Sequence, residues 1–342
     1  MEHKQLISLV IPCYNEQDAL PVVYRTICGV AAGMRNQDFE FIFVDDGSTD
    51  GTLELLHEYR KNSRVRYLSF SRNFGKEAAV LAGMRYAKGD YLVVMDADMQ
   101  DPPSFISQMY TFLRENTDYD CVAARRTTRR GEPLLRSFCA HCFYRFINKI
   151  SKTEIADGAR DFRCMTRKMV DAILSLREYN RFSKGIFGWV GFKTKWLEYE
   201  NVERAAGKTK WSFLKLLLYS MDGIIAFSTV PLTVASVVGL ICCFLAVVLA
   251  VVFTVKTLIL GDPVAGFPTL ICVILLVGGV QIFSTGILGQ YLAKTYLEVK
   301  HRPVYLIRET EKSKNYSTPQ KGDCPVCPDQ RSDQSATEEN RP

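Results

Sequence analysis

Two long stretches without a charged side chain constrain this chain more than any other feature. Residues 230–255 are interrupted only by Pro231, Thr233, Ser236, Gly239 and Thr254, and residues 267–293 also carry no charge. Each exceeds the roughly 20 residues that an α-helix needs to cross a bilayer. A buried helix of a water-soluble domain rarely goes that long without charge. The pattern therefore predicts two transmembrane helices, over 229–256 and 267–293. Residues 1–5 are polar, and the apolar run behind them is short and soon meets Pro12, unlike a secretory leader. The N-terminal part is thus expected in the cytosol, with the two crossings returning the chain to that side. Arg204, Lys208, Lys210 and Lys215 precede the first run and Lys294, Lys300 and Arg302 follow the second, while the joining loop holds only Lys256 and Asp262. That bias fits the positive-inside rule.

The net charge is +6, but the basic residues cluster. Arg125, Arg126, Arg129, Arg130, Arg136, Arg145 and Lys149 share one stretch whose single acid is Glu132. Such a patch suits nucleic acid, an anionic membrane or a phosphate. The neighbouring apolar spans favour the last two and argue against nucleic acid. Residues 211–228 are amphipathic with lysines nearby, the pattern of a helix lying in the membrane interface. The 11 cysteines of a cytosolic chain read as reduced thiols. Cys324 and Cys327 form a lone C-x-x-C inside a polar tail, 308–342, whose composition predicts disorder.

Ahead of the spans, apolar runs of strand type alternate with segments of helical spacing. Residues 6–13, 39–44, 65–70, 91–95 and 121–124 read as strands, with helices between them. This alternation predicts an α/β fold with a doubly wound parallel sheet. Ligands of such sheets bind beyond the carboxyl ends of the strands. Four polar clusters fall there: Tyr14-Asn15-Glu16, Asp45-Asp46, Arg72-Asn73 and Asp96 to Asp98. The preference of acids for loops explains any one cluster; four on one edge point to a composite site.

Asp96 and Asp98 stand one residue apart at a strand end. Hard divalent cations take such oxygen ligands, and Mg2+ or Mn2+ can then bridge substrate phosphates. Gln100 can add an amide oxygen. No Walker or dinucleotide-type glycine loop and no Gly-x-Ser-x-Gly elbow is present, which argues against an ATPase, a dehydrogenase or an α/β-hydrolase.

The segments VIPCYNE (10–16), VDDGSTDGT (44–52), RNFGKEAAVLAGM (72–84) and GDYLVVMDADMQDPP (89–103), in this order and spacing, resemble glycosyltransferase family 2. The resemblance runs over about residues 5–225. With two C-terminal spans, and with DFRCM (161–165) and ERAAGKTKW (203–211), the chain is similar to the polyprenyl-phosphate branch, bactoprenol glucosyltransferases in particular. The resemblance implies a GT-A, Rossmann-like catalytic domain over residues 1–210. It implies that Pro12, Tyr14 and Glu16 line a nucleotide pocket, that Asp46 accepts from the base, and that Lys76 approaches the nucleotide. Asp96, Asp98 and Gln100 match the family's metal site, Asp96 also facing the nucleotide-sugar. Arg125 and Arg136, with Arg204 and Lys210, are expected on the acceptor phosphate. Asp98 and Asp161 are the expected catalytic acids; an ion pair of Asp161 with Arg160 or Arg163 is the structural alternative.

The activity implied is inverting transfer of a sugar, glucose from UDP-glucose first, from a nucleotide-sugar donor to undecaprenyl (polyprenyl) phosphate. GlcNAc, galactose, mannose and aminoarabinose are alternatives for the sugar. The implied setting is the cytosolic face of a bacterial cytoplasmic membrane, with membrane lipid as a further partner and a homotetramer suggested by related membrane enzymes. A processive polysaccharide synthase fits poorly, since two spans are too few for a polymer channel. A non-catalytic membrane scaffold is the remaining reading.

Overall fold

The computed structural model describes residues 4–126, 159–199, 225, 228–260 and 267–312. Its first part is a mixed sheet with helices on both faces. The chain runs β1 (Leu6–Cys13), α1 (Leu20–Gly33), β2 (Asp38–Asp45), α2 (Thr52–Tyr59), β3 (Val65–Phe70), α3 (Lys76–Tyr86), β4 (Tyr91–Val94), α4 (Phe105–Glu115) and β5 (Cys121–Arg126). It resumes with β6 (Ala159–Thr166), α5 (Arg167–Ser175), α6 (Ser183–Trp189) and β7 (Thr194–Tyr199). The long helices α7 (Val230–Leu260) and α8 (Phe267–Val299) follow, and then β8 (Ile307–Thr310).

The central strands are continuous apolar runs because both of their faces are covered. Ile7, Leu9 and Ile11 of β1 pack with Leu20, Val23, Leu56, Ile106 and Met109 of α1, α2 and α4. Val10 of the same strand faces the other way, toward Ala79, Met84, Met169 and Ile186 of α3, α5 and α6. Small residues let α3 lie close on the sheet. A Cβ at Gly83 would sit 2.2 Å from Val10 Cγ1, so only glycine fits there without a shift.

The sheet order is β7-β5-β6-β4-β1-β2-β3-β8. β1 pairs in parallel with both β2 and β4. The chain therefore winds outward from β1 through β2 and β3 and returns to β4 on the opposite side. That reversal opens a crevice beyond the carboxyl ends of β1 and β4, where α/β sheets bind ligands.

Three features differ from expectation. The sheet is mixed, not wholly parallel: β6 runs antiparallel to β4 and β5, and β8 antiparallel to β3. β6 lies beyond the last of the strands read from the sequence, 121–124. Its face with Phe162 and Cys164 is fully buried, but Arg160, Asp161 and Arg163 interrupt the apolar pattern. Arg308, Glu309 and Thr310, expected in a disordered tail, belong instead to β8. Polar side chains hold it there: Glu309 meets His57 at 2.6 Å, and Glu311 accepts from Tyr86 Oη at 2.7 Å. The rest of that tail, with Cys324 and Cys327, lies outside the described residues, as does nearly all of 211–228.

Helices α7 and α8 are long and apolar enough to cross a membrane, with windows of mean hydropathy 2.8 and 1.2. Their apolar side chains find little cover within the fold. Leu240, Phe244, Ile282 and Phe283 are each about two-thirds exposed or more, at 72%, 71%, 75% and 68%.

Candidate active site

Two loops at the carboxyl edge are laced together first. Asn15 adopts a left-handed φ of 54°, which asparagine tolerates better than most side chains. Its Oδ1 accepts from Thr49 N at 2.8 Å, its own N–H donates to Ser48 Oγ at 2.9 Å, and Glu16 N donates to Thr52 Oγ1 at 2.9 Å. Pro12 and Glu16 are half-buried here, and Tyr14 is exposed. The crevice wall near β1 and β2 is therefore set by backbone and hydroxyl bonds.

The adjacent acids Asp45 and Asp46 are both buried and differ in task. Asp45 accepts from Ser48 N at 2.9 Å and Ser69 Oγ at 2.7 Å, which fixes the turn after β2. Asp46 accepts from Phe74 N at 2.7 Å and Gly75 N at 2.9 Å. Gly47, at a φ of 67°, allows the 72–73 backbone to come close, since a Cβ there would lie 2.5 Å from Arg72 C. Burial pushes the Asp46 carboxyl up to about 6, against the pull of those two N–H donors.

Lys76 opens α3 directly after this loop. Its Nζ donates to Asp161 Oδ2 at 2.5 Å and to Asp96 Oδ2 at 2.8 Å. Loss of hydration works against the charges of Lys76 and Asp161, yet their mutual attraction prevails. Asp161 is held well below the usual carboxylate range by Lys76, Lys184 and Arg163, and Lys76 well above its ordinary value by Asp161 and Asp96. Asp161 thus takes Lys76 as its hydrogen-bonded partner. Arg160 instead binds Asp101 and Gln100, and Arg163 donates to Arg160 O while lying 3.6 Å over the Phe187 ring.

The Asp98 turn is bent at Met99, whose φ is 56°, and Asp98 Oδ1 accepts from Gln100 N at 3.1 Å. The Gln100 amide oxygen accepts from Arg160 Nη2 at 2.8 Å, so the third expected metal donor already has a partner. Among the described residues no group of three or more His, Cys, Asp or Glu side chains is arranged around one ion position. Asp96 Oδ1 is buried, with the Lys76 ammonium 2.7 Å away as its ion-pair partner. Asp96 and Asp98, two positions apart after β4, offer hard carboxylate oxygens of the chemistry that suits Mg2+ or Mn2+, with the Lys76 ammonium lying against the first of them. Such ions take one or two carboxylates and complete their shell with water and substrate phosphates.

The edge thus brings together Pro12, Tyr14, Glu16, Asp46, Lys76, Asp96, Asp98, Gln100 and Asp161. Arg125 lies further off, half-buried near the end of β5 and in register with Ala159 and Glu198. Arg136, Arg204 and Lys210 lie outside the described residues. Sequence reasoning missed Asp101 and Tyr199, and it set Arg160 against Asp161 rather than against Asp101. Asp101 is 3% exposed and accepts from Arg160 Nε at 3.1 Å and from the Tyr199 hydroxyl. That knot buttresses the 96–100 loop from behind. Nothing in the local pattern around Asp101 marked it as buried, because its partners come from β6 and β7.

Comparison with known proteins supplies the family. The model of glycosyl transferase family 2 matches residues 8–174. CsbB of Bacillus subtilis (strain 168) is 42% identical over 305 residues, covering 89% of this chain and 92% of that protein. The prophage bactoprenol glucosyl transferase homolog of Escherichia coli (strain K12) is 38% identical over 307 residues, covering 90% and 99%. The bactoprenol glucosyl transferase of Shigella phage SfV is 39% identical over 309 residues, covering 90% and 99%. The mannosyltransferase PcManGT of Pyrobaculum calidifontis, solved with GDP-Man and Mn2+, matches with a TM-score of 0.43 at 14% identity over 87% of each chain; that likeness is too distant to transfer ligands from. High coverage and identity across the relatives, together with the matched domain, make this chain a member of glycosyl transferase family 2 and a glycosyltransferase.

Proposed function

We propose that the enzyme transfers glucose from UDP-glucose to a polyprenyl phosphate at the cytosolic face of a bacterial cytoplasmic membrane, with inversion at the anomeric carbon. The acceptor reading is supported by relatives named bactoprenol glucosyl transferase that align over almost their full length. The membrane reading is supported by the exposed apolar faces of α7 and α8, which water would not tolerate and lipid would cover.

The observation that carries the mechanism is the bridge from Lys76 to Asp96 and Asp161. A phosphate oxygen is anionic at neutral pH, so the acceptor needs no base to attack the anomeric carbon. Asp161, held below the carboxylate range, is a poor proton acceptor and a persistent fixed negative charge. Its role is then to stabilise positive charge on the sugar ring and to orient the acceptor. Asp96 and Asp98 would hold Mg2+ or Mn2+, which when bound neutralises the departing diphosphate. Asp46 meets the base, and its two backbone donors keep it aimed. Lys76 adds positive charge between the acids, close to where the leaving group gathers negative charge. Arg125, with Arg136, Arg204 and Lys210, is assigned to the acceptor phosphate, a task suited to guanidinium and ammonium groups at an interface.

The test is incubation of membranes containing the chain with radiolabelled UDP-glucose and undecaprenyl phosphate, with Mg2+ or with chelator. Label entering the organic phase only with the metal supports the proposal. Label confined to the aqueous phase would overturn the acceptor, and transfer from UDP-GlcNAc or UDP-galactose instead would overturn the donor.

A further inference from the structure

The membrane helix α8 ends against the catalytic domain. Glu298, in its last turn, accepts from Tyr179 N at 3.0 Å and from Asn180 N at 3.0 Å, while Asn180 Nδ2 reaches Glu298 Oε1 at 3.3 Å. Residues 176–182 are the loop between α5 and α6. At its far end Ser183 donates from N to Glu77 Oε2 at 3.0 Å, and the Ser183 hydroxyl donates to the same oxygen. Glu77 is the neighbour of Lys76. Arg181, near the end of the loop, donates back to Leu176 O at its start at 3.0 Å and to Ile173 O of α5 at 3.3 Å. A cavity of about 780 Å3 lies alongside, with Arg72, Asn73 and Glu77 on one wall and Tyr291, Lys294 and Glu298 on another. The Glu298 carboxylate, with Asn180 Nδ2 also reaching Lys294 O at 3.5 Å, joins α8 to the loop. A carboxylate accepting two backbone N–H groups makes charge-assisted bonds, stronger than neutral ones.

We propose that Glu298 is a positioning residue for sugar transfer: it couples the end of the membrane helix, through the 176–182 loop, Ser183 and Glu77, to the place Lys76 occupies between Asp96 and Asp161. This inference rests on reading those three residues as the reaction centre. It gives the anchor a second task beyond tethering, because the helix end and the transfer centre then share one register.

The experiment uses the full chain in detergent micelles with UDP-glucose and undecaprenyl phosphate, comparing E298A, E298Q, S183A and the E298A/S183A pair. E298A is expected to lower kcat about tenfold, the equivalent of ~1.4 kcal/mol, with KM for UDP-glucose unchanged. E298Q keeps an acceptor oxygen for the two N–H groups and should recover most of the rate. S183A should lower kcat in the same way, and the double variant should fall short of the product of the two effects, as members of one chain of contacts do. Hydrogen exchange of the Tyr179 and Asn180 amides should speed up in E298A and stay slow in E298Q. Wild-type kcat in E298A, a rise in KM alone, E298Q no better than E298A, or multiplicative effects would each overturn the proposal. Lack of transfer by the unmodified chain would count against the donor or acceptor instead. In that event exchange at Tyr179 and Asn180 still decides whether Glu298 holds the loop.

Discussion

Lys76 Nζ lies 2.5 Å from Asp161 Oδ2, joining the first turn of α3 to β6 across 85 positions of chain. Replacing Lys76 with methionine keeps the length of the side chain but leaves Asp96 and Asp161 as like charges at close range. We expect kcat/KM for sugar transfer to fall by at least about a hundredfold, the scale of losing one electrostatic stabiliser. Initial rates with a saturating acceptor check this, and retention of most of the activity would remove Lys76 from the centre.

The direction of the shifts sets how this pair responds to pH. Asp161 is depressed, so its contribution to stability is present above the ordinary aspartate value and disappears only as pH falls through its lower folded value. Lys76 is raised, so its contribution is present below the ordinary lysine value and disappears only as pH rises beyond it. The pair should therefore stay ionised throughout the range from pH 5 to 9, where both ordinary values leave it charged. Activity measured in D161N should accordingly be low at every pH in that range, with no limb restored by acid or base.

Asp46 behaves oppositely. Its carboxyl is raised to about 6, so the folded chain holds this proton more tightly than the unfolded one. Its own contribution to stability is greatest below the ordinary aspartate value and is lost as pH rises through about 6. Donor binding should show the reverse trend, since the ionised carboxylate is the better acceptor for a base N–H. KM for UDP-glucose is expected to rise as pH falls below about 6, and D46N should flatten that dependence while raising KM at pH 8. A KM profile for the unmodified chain that is flat between pH 5 and 8 would exclude this role for Asp46.

Asp98→Ala should abolish metal-dependent transfer, a loss of at least about a hundredfold given the several kcal/mol a metal ion supplies. The chain should still enter membranes and retain its thermal midpoint, because Asp98 is a half-buried loop residue outside both cores. Titration of UDP binding with and without Mn2+ provides a second readout, which should lose its metal dependence in the variant.

Gly83→Ala places a methyl group 2.2 Å from Val10 Cγ1 and 3.2 Å from Val44 Cγ2. Overpacking of this kind costs about 1–3 kcal/mol. A lowered thermal midpoint with little change in KM is expected; an unchanged midpoint would mean that α3 can move off the sheet freely.

Much of this protein could be read from its residues in order. The strands β1 to β5 are continuous apolar runs because helices cover both faces, so burial and sequence coincide there. The same runs placed Asp46, Asp96 and Asp98 at strand ends, where an α/β sheet binds its ligands. The two long apolar helices were legible because length and an extended run without charge are local properties, and each is long and apolar enough to cross a bilayer. β6, β7 and β8 were not legible. β6 carries Arg160, Asp161 and Arg163 among its buried residues, and β8 is four residues long and pairs with a strand far earlier in the chain.

The same division applies to the site. The chain order by itself determined that Asp46, Asp96 and Asp98 sit at the carboxyl edge, since each follows its own strand and needs only local geometry; Lys76 and Asp161 were expected there only from the family resemblance. Tertiary structure alone decided the pairing: that Asp161 takes its hydrogen bond from Lys76 and not from its neighbours Arg160 and Arg163, that Gln100 is claimed by Arg160, and that Asp101 is buried behind the loop. Those choices depend on β6 lying antiparallel beside β4, which brings distant charges within hydrogen-bond reach. Pair energies fall off within a few ångströms, and no local pattern records which distant partner will arrive at that distance.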